Sequence, residues 1–116
     1  MKSKHLLGLE TQIKRNISEL VSRDVQKNIG FVTITDVDLT SDYSYCTVYY
    51  NVLNPKDQKK AYDGLNGLKG YFRKEIGKRV SMKKLPEISF KYDESYDNGR
   101  MIDEILARLN EEKKES

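Results

Sequence analysis

The chain has few of the residues that form disulfides, metal sites and catalytic triads. Its 116 residues include one cysteine, Cys46, and one histidine, His5. A single cysteine excludes an internal disulfide, and its place in a β-type run predicts a buried thiol in a reducing, cytosolic compartment. One histidine near the N-terminus provides neither a Ser-His-Asp triad nor, with one cysteine, a zinc site. Catalysis of those kinds is therefore not expected.

Long apolar segments are also missing. No run approaches the roughly 20 residues that a membrane-spanning helix needs. The N-terminal residues Met1 to His5 lead into an amphipathic segment rather than into the apolar core of a signal peptide. We therefore expect no membrane partner, no secretion and a cytoplasmic location.

The acidic residues form no recognisable metal or catalytic motif. Asp36, Asp38 and Asp42 lack the central glycine and the distal glutamate of a calcium loop. Asp93 and Glu94 lack any nearby histidine or nucleophile signature, so capping of a following helix is the favoured interpretation of that pair. A magnesium-dependent nuclease that uses only carboxylates is the one enzymatic alternative left open. We expect no cofactor, no metal and no enzymatic activity.

The positive charge is concentrated in one segment. The net charge is +3, but residues 56–84 contain ten lysines and arginines against three acidic residues, which gives +7 there and −4 elsewhere. A local excess of this size attracts polyanions and makes their binding sensitive to salt. We therefore expect one face of the protein to bind nucleic acid.

Periodicity predicts a helix, two strands, two helices and a third strand. Apolar residues at helical spacing mark a first helix over about residues 6–26, ended near Gly30. Residues 31–39 and 43–52 form antiparallel strands joined by a turn at 40–42. A second helix begins at Pro55 and stops or kinks at the glycines at 64, 67 and 70. A third helix follows Gly70, residues 85–92 form the third strand, and residues 101–109 form a short C-terminal helix.

The junction of the second and third helices carries the strongest functional motif. Gly67-Leu68-Lys69-Gly70 places glycines, which lack a Cβ and let phosphate approach the main chain, at the start of a basic helix. A GxxG sequence alone is more often a helix-ending turn, but the flanking basic helix favours a phosphate clamp. The basic run could instead be only a solvated face. The predicted RNA-binding residues are Gly67, Lys69, Gly70, Arg73, Lys74, Lys78, Arg79, Lys83 and Lys84.

The tyrosines leave two interpretations open. Tyr43, Tyr45, Tyr49 and Tyr50 could form a base-stacking platform on the sheet, but core packing is favoured because no RNP-like motif accompanies them. Tyr71, beside the glycines, fits base stacking and simple packing equally well.

The order α-β-β-α-α-β, with an added helix, resembles that of a type II KH domain. The chain is also similar over nearly its whole length to the bacterial ribosome-binding factor A family. The matching segments are 33–37, 41–50, 70–80, 85–90 and 92–95. Two segments differ: residues 26–29 replace the Asp-Pro-Arg usual in the family, and Leu68-Lys69-Gly70 replaces its Ala-x-Gly.

This resemblance implies an α+β, KH-like fold with a kinked helix pair, a three-stranded sheet and a short C-terminal helix. It implies one RNA-binding domain over residues 1–110, followed by a charged tail at 111–116. It further implies a monomeric, non-enzymatic factor that binds the free small (30S) ribosomal subunit and its 16S rRNA. Such a factor assists late 16S processing and growth in the cold, with assembly GTPases as possible partners.

A different class of function is compatible with the same sequence. The open edge of a small sheet, or the C-terminal helix with Leu106 and Leu109, could bind a partner protein. That association would depend on apolar residues, would resist salt and would survive ribonuclease.

Overall fold

A computed structural model describes residues 1–95 of the chain. Helix α1 spans Lys4–Leu20 and continues through a π-helical turn, Val21–Val25, into the short helix α2, Gln26–Ile29. Ser3 caps α1, because its Oγ accepts a hydrogen bond from the Leu6 backbone N–H at 3.1 Å. Gly30, with φ of 81°, ends the segment. The predicted first helix is confirmed, and the irregular turn within it was not foreseen.

The sheet has three strands in the order β1-β2-β3. Strand β1, Val32–Leu39, pairs antiparallel with β2, Tyr45–Val52, and β2 pairs parallel with β3, Glu87–Tyr92. A bulge between Ile34 and Asp36 changes the alternation of β1, so Ile34 and Val37 both reach the core. On β2, Cys46, Val48, Tyr50 and Val52 face the core, as their spacing predicted.

Two predicted strand starts are wrong by two residues. The second strand begins at Tyr45 rather than at Tyr43, because Tyr43 has a positive φ of 62° and belongs to the preceding turn. The third begins at Glu87 rather than at Leu85, because the carbonyls of Leu85 and Pro86 accept hydrogen bonds from Arg73 instead of from a neighbouring strand.

Two helices connect β2 to β3. A 3-10 turn at Pro55–Asp57 leads into α3, Gln58–Gly67, and α4 spans Lys69–Arg79. Only Leu68 separates the two helices, so the predicted break at the glycines is confirmed, and α4 begins two residues earlier than expected. Phe72 and Ile76 of α4 are fully buried. These side chains join α4 to the core formed by α1 and the sheet.

The observed order is that of the predicted α+β, type II KH-like fold. The core includes two buried polar side chains, Glu10 and Asn51. Glu10 accepts from the Leu39 backbone N–H at 2.7 Å and pairs with Lys2. Asn51 donates to the Tyr92 hydroxyl at 3.0 Å. The predicted C-terminal helix at 101–109, the domain limit at 110 and the tail lie outside the described residues.

Candidate nucleic-acid interface

The main chain is open at the junction between α3 and α4. The Leu68 N–H donates to the Leu65 carbonyl at 3.1 Å, and the Phe72 N–H donates to the Leu68 carbonyl at 3.0 Å. A Cβ added to Gly67 or to Gly70 would meet no atom of residues 1–95 within 4 Å. Neither glycine has a positive φ. What these glycines provide is therefore open access to a helix start, where N–H groups of the first turn lack partners within the helix.

Helix α4 has a buried face and a basic face. Phe72 and Ile76 point into the core, whereas Lys74 and Lys78 are exposed on the other side. This is the arrangement that the i, i+4 spacing predicted. Lys78 Nζ lies 3.6 Å from Glu75 Oε1; because Lys78 itself is exposed to solvent, this pair does little to neutralise it toward a larger polyanion.

Three of the predicted RNA-binding side chains have no partner among residues 1–95. Lys69, Lys74 and Lys83 are exposed and make neither an ion pair nor a hydrogen bond within that part of the chain. Lys69 and Lys74 lie on the first two turns of α4, beside the open main chain at Gly70. These positive charges are available to bind phosphate.

Two of the other predicted cations, Arg73 and Arg79, join α4 to the rest of the fold. Arg73 donates from Nε to the Pro86 carbonyl and from Nη2 to the Leu85 carbonyl, both at 3.2 Å, and so joins α4 to the start of β3. Arg79 is half-buried, with Nη1 3.4 Å from Glu19 Oε1, and joins α4 to α1. Sequence reasoning missed these structural roles because it cannot pair residues so far apart in the chain.

A groove runs beside the first turn of α4. It is lined by Lys69, Gly70, Arg73, Glu87 and Ile88, so β3 forms its second wall. At the groove, Glu87 contributes negative charge from the β3 wall, whereas Lys69 and Arg73 contribute positive charge from the α4 wall. A backbone that follows this groove therefore meets the positive charge of its lining on the α4 side.

The predicted RNA-binding residues form a basic strip that follows α4 and the segment after it. Helix α4 runs antiparallel to α1, because the Tyr71 hydroxyl donates to Asp24 Oδ2 at 2.6 Å and Arg79 contacts Glu19 further back along α1. Gly70 and Lys69 lie at one end of the strip. Lys83 and Lys84 lie at the other end, in the segment after α4, where Lys84 Nζ donates to Ser44 Oγ at 2.8 Å.

The structure distinguishes between the two interpretations of the tyrosines. Tyr71 packs edge-on against Phe72, and its hydroxyl donates a hydrogen bond to Asp24. Hydrogen bonds from Arg23 and Tyr71 lower the pKa of Asp24. The two contacts of Tyr71 favour packing over base stacking. Tyr50 is fully buried, which confirms its place in the core. The prediction of core packing is wrong for Tyr45, which is 59% exposed on the outer face of the sheet.

The acidic residues have local structural partners. Asp38 pairs with Lys2, and Asp42 accepts hydrogen bonds within its own turn from Ser44 and Thr40. Asp93 Oδ1 accepts from the Ser95 backbone N–H at 3.1 Å, the contact expected of a residue that caps a following helix. Within residues 1–95, no helix has the length and apolarity of a membrane span.

The family model described as ribosome-binding factor A matches residues 6–106 of the chain. The chain belongs to the ribosome-binding factor A family. A family member from Macrococcus caseolyticus is 41% identical to the chain over 104 residues, which cover 88% of the chain and 91% of that relative. The resemblance inferred from the sequence is thus confirmed.

Solved structures of the same family share the fold. The crystal structure of ribosome-binding factor A from Thermus thermophilus superposes with a TM-score of 0.68 at 24% identity, covering 75% of the chain and 94% of that protein. A homology model of the Thermus thermophilus factor, fitted into a cryo-EM map of its complex with 30S, gives a TM-score of 0.63 at 25% identity. It covers 72% of the chain and 90% of that factor.

Proposed function

We propose that this chain binds the free 30S ribosomal subunit through 16S rRNA and assists late maturation of that RNA. In this proposal it acts as a cytoplasmic, monomeric and non-enzymatic factor that aids growth in the cold. Membership of the ribosome-binding factor A family supports the proposal. The fit of the Thermus thermophilus factor to a 30S complex supports the choice of the small subunit. Assembly GTPases are the partners that would release the factor or overlap with it.

The observation that carries the proposal is the position of two exposed lysines beside an open helix start. Lys69 and Lys74 are exposed, and the main chain at Gly70 is unobstructed. A phosphate at this point would receive hydrogen bonds from the N–H groups of the first turn of α4 and attraction from both ammonium groups. A helix start without neighbouring lysines would offer the hydrogen bonds but not the attraction from the ammonium groups.

The contacts would give positioning rather than base readout. Lysine and main-chain N–H groups recognise phosphate without regard to sequence. Specificity for the small subunit would then come from the shape of the folded rRNA, which must fit the strip from Gly70 to Lys83. This accounts for a binding surface with charge and few side chains suited to reading base edges.

Copurification tests the proposal. The protein is recovered from cells lysed in low salt, and the bound RNA is sequenced; we expect 16S rRNA enriched in unprocessed ends. Neutralising about five phosphates should make the logarithm of affinity fall with the logarithm of salt concentration at a slope of about −4 to −5. Association that survives ribonuclease and does not respond to salt would contradict RNA binding and favour a protein partner.

A further inference from the structure

An aromatic pocket lies at the far end of the basic strip. It is formed by the start of α1, the β1–β2 turn and the segment after α4, and has a volume of about 340 Å³. The rings of His5 and Tyr43 meet edge to face, with centroids 6.4 Å apart. No acidic side chain is among its lining residues, which are His5, Leu9, Tyr43, Ser81, Met82 and Lys83.

The turn holds Tyr43 in an unusual backbone conformation. Its φ of 62° is uncommon for any residue with a bulky side chain and costs conformational energy. The turn compensates with hydrogen bonds: the Tyr43 N–H donates to the Thr40 carbonyl at 2.9 Å, and Asp42 Oδ1 accepts from the Ser44 N–H at 3.1 Å. The main chain that carries the Tyr43 ring is therefore held in place at the pocket before any ligand arrives.

The opposite wall is fastened to the same turn. The Glu87 N–H donates to the Ser44 carbonyl at 2.9 Å, and Lys84 Nζ donates to Ser44 Oγ at 2.8 Å. Met82 is half-buried beside the pocket, and Lys83 is exposed at its rim without a partner among residues 1–95. Both walls are thus preformed, which lowers the entropic cost of binding.

We propose that this pocket takes one unpaired nucleobase of the bound RNA, with Lys83 binding the adjoining phosphate. This proposal rests on the proposed function. A base has a flat π surface that aromatic rings and a thioether accommodate, and every base is joined to the phosphate that a lysine attracts. An apolar protein side chain would fill the pocket but would leave Lys83 without an anion. The RNA would thereby be held at both ends of the strip.

The unmodified protein provides the first test. A single-stranded RNA of about ten nucleotides, within the usual range of site sizes, is compared with an abasic strand of equal length and charge. NMR follows the Met82 methyl group and the His5 ring. We expect both resonances to shift with the intact strand and to stay unchanged with the abasic strand. Equal shifts with the two strands, or none with either, would overturn the proposal.

Variants distinguish binding of the base by Tyr43 from binding of the phosphate by Lys83. Tyr43→Gly removes the ring and suits the positive φ, so we expect oligonucleotide affinity about tenfold weaker with an unchanged salt dependence. The conservative variant Tyr43→Phe should recover that loss. Lys83→Ala should instead reduce the salt slope by about 0.7. Tyr45→Ala, on the outer face of the sheet, is the control, and its affinity should equal that of the unmodified protein.

The outcomes also distinguish this proposal from the proposed function. If Tyr43→Gly binds oligonucleotide and 30S subunits normally while a charge reversal on α4 abolishes 30S binding, the pocket proposal fails and the function stands. If Tyr43→Gly weakens only the association with 30S subunits, the pocket takes a protein side chain and the base is excluded. If the unmodified protein binds no RNA at all, both proposals fail.

Discussion

Gly64 of α3 lies directly against Ile29 of α2. A Cβ built on Gly64 would be 2.3 Å from Ile29 Cγ2, far inside van der Waals contact. Ile29 is only 3% exposed and is packed in the core, so it has little room to move away. Gly64 is therefore a packing residue within α3, where the sequence suggested only an interruption of the helix.

Gly64→Ala should consequently destabilise the protein. Alanine is the better helix former, but the clash with Ile29 should dominate and lower the free energy of unfolding by about 1–3 kcal/mol. Urea denaturation measures the change. Gly8→Ala is the matched control, because Gly8 lies in α1 with no atom within 4 Å of an added Cβ and should gain stability. A Gly64→Ala protein as stable as the control would contradict the close contact.

Alanine at the two junction glycines should separate stability from binding. Gly67 and Gly70 have negative φ angles and open space around an added Cβ, so Gly67→Ala and Gly70→Ala should stabilise the free protein by about 0.5–1 kcal/mol each. The new methyl group at Gly70 should nevertheless keep phosphate from the main chain and weaken RNA binding. Thermal unfolding and RNA titration measure the two effects. Stronger binding by Gly70→Ala would argue against a main-chain contact.

The hydroxyl of Tyr50 is buried and has no hydrogen-bond partner within residues 1–95. Removing an unsatisfied buried polar group removes its desolvation penalty. Tyr50→Phe should therefore raise the free energy of unfolding by about 1 kcal/mol, as measured by denaturation. Tyr45→Phe, which alters an exposed ring, should change it little. Destabilisation by Tyr50→Phe would show that the hydroxyl has a favourable partner.

The Cys46 thiol should make the protein less stable in alkali. Burial raises its pKa to about 12 from an ordinary value of 9.0. Above pH 9 the unfolded chain loses this proton while the folded protein keeps it, so stability is complete below pH 9 and falls toward pH 12. Tyr50, whose pKa is also raised to about 12, acts in the same direction from its ordinary value of 10.0.

Urea denaturation at neutral and alkaline pH measures this decline. Cys46→Ala removes the thiol contribution and should flatten the first part of the decline, above pH 9. The variant loses some core packing at every pH, so the slope rather than the absolute stability is compared. An identical slope in the two proteins would show that the thiol ionises as easily in the folded state as in the unfolded one.

Local patterns in the sequence predicted the elements and their order well. The alternation along β2 and the i, i+4 stripe on α4 are properties of one segment, and both are confirmed. The errors arise where distant residues decide the outcome. Strand β3 starts late because Arg73 occupies the Leu85 and Pro86 carbonyls, and no local pattern reveals such a contact.

The separate roles of the predicted RNA-binding cations could not be read from the sequence. These residues are close in the chain, so a local pattern groups them all together. Within residues 1–95, Lys69, Lys74 and Lys83 have no partner, whereas Arg79 joins α4 to α1. The pocket at Tyr43 was missed, although one local feature marks it: the turn residues Thr40 to Ser44 surround a tyrosine forced to positive φ.

We propose that the exposed lysines of α4 attach the protein to the small subunit. Cosedimentation with purified free 30S subunits measures this attachment, using the double charge reversal Lys74→Glu and Lys78→Glu. The matched control reverses Lys14 and Arg15, two exposed residues of α1. Circular dichroism verifies that both variants are folded. We predict that the α4 variant no longer cosediments while the α1 variant does; cosedimentation of both at the level of the unmodified protein would contradict the account.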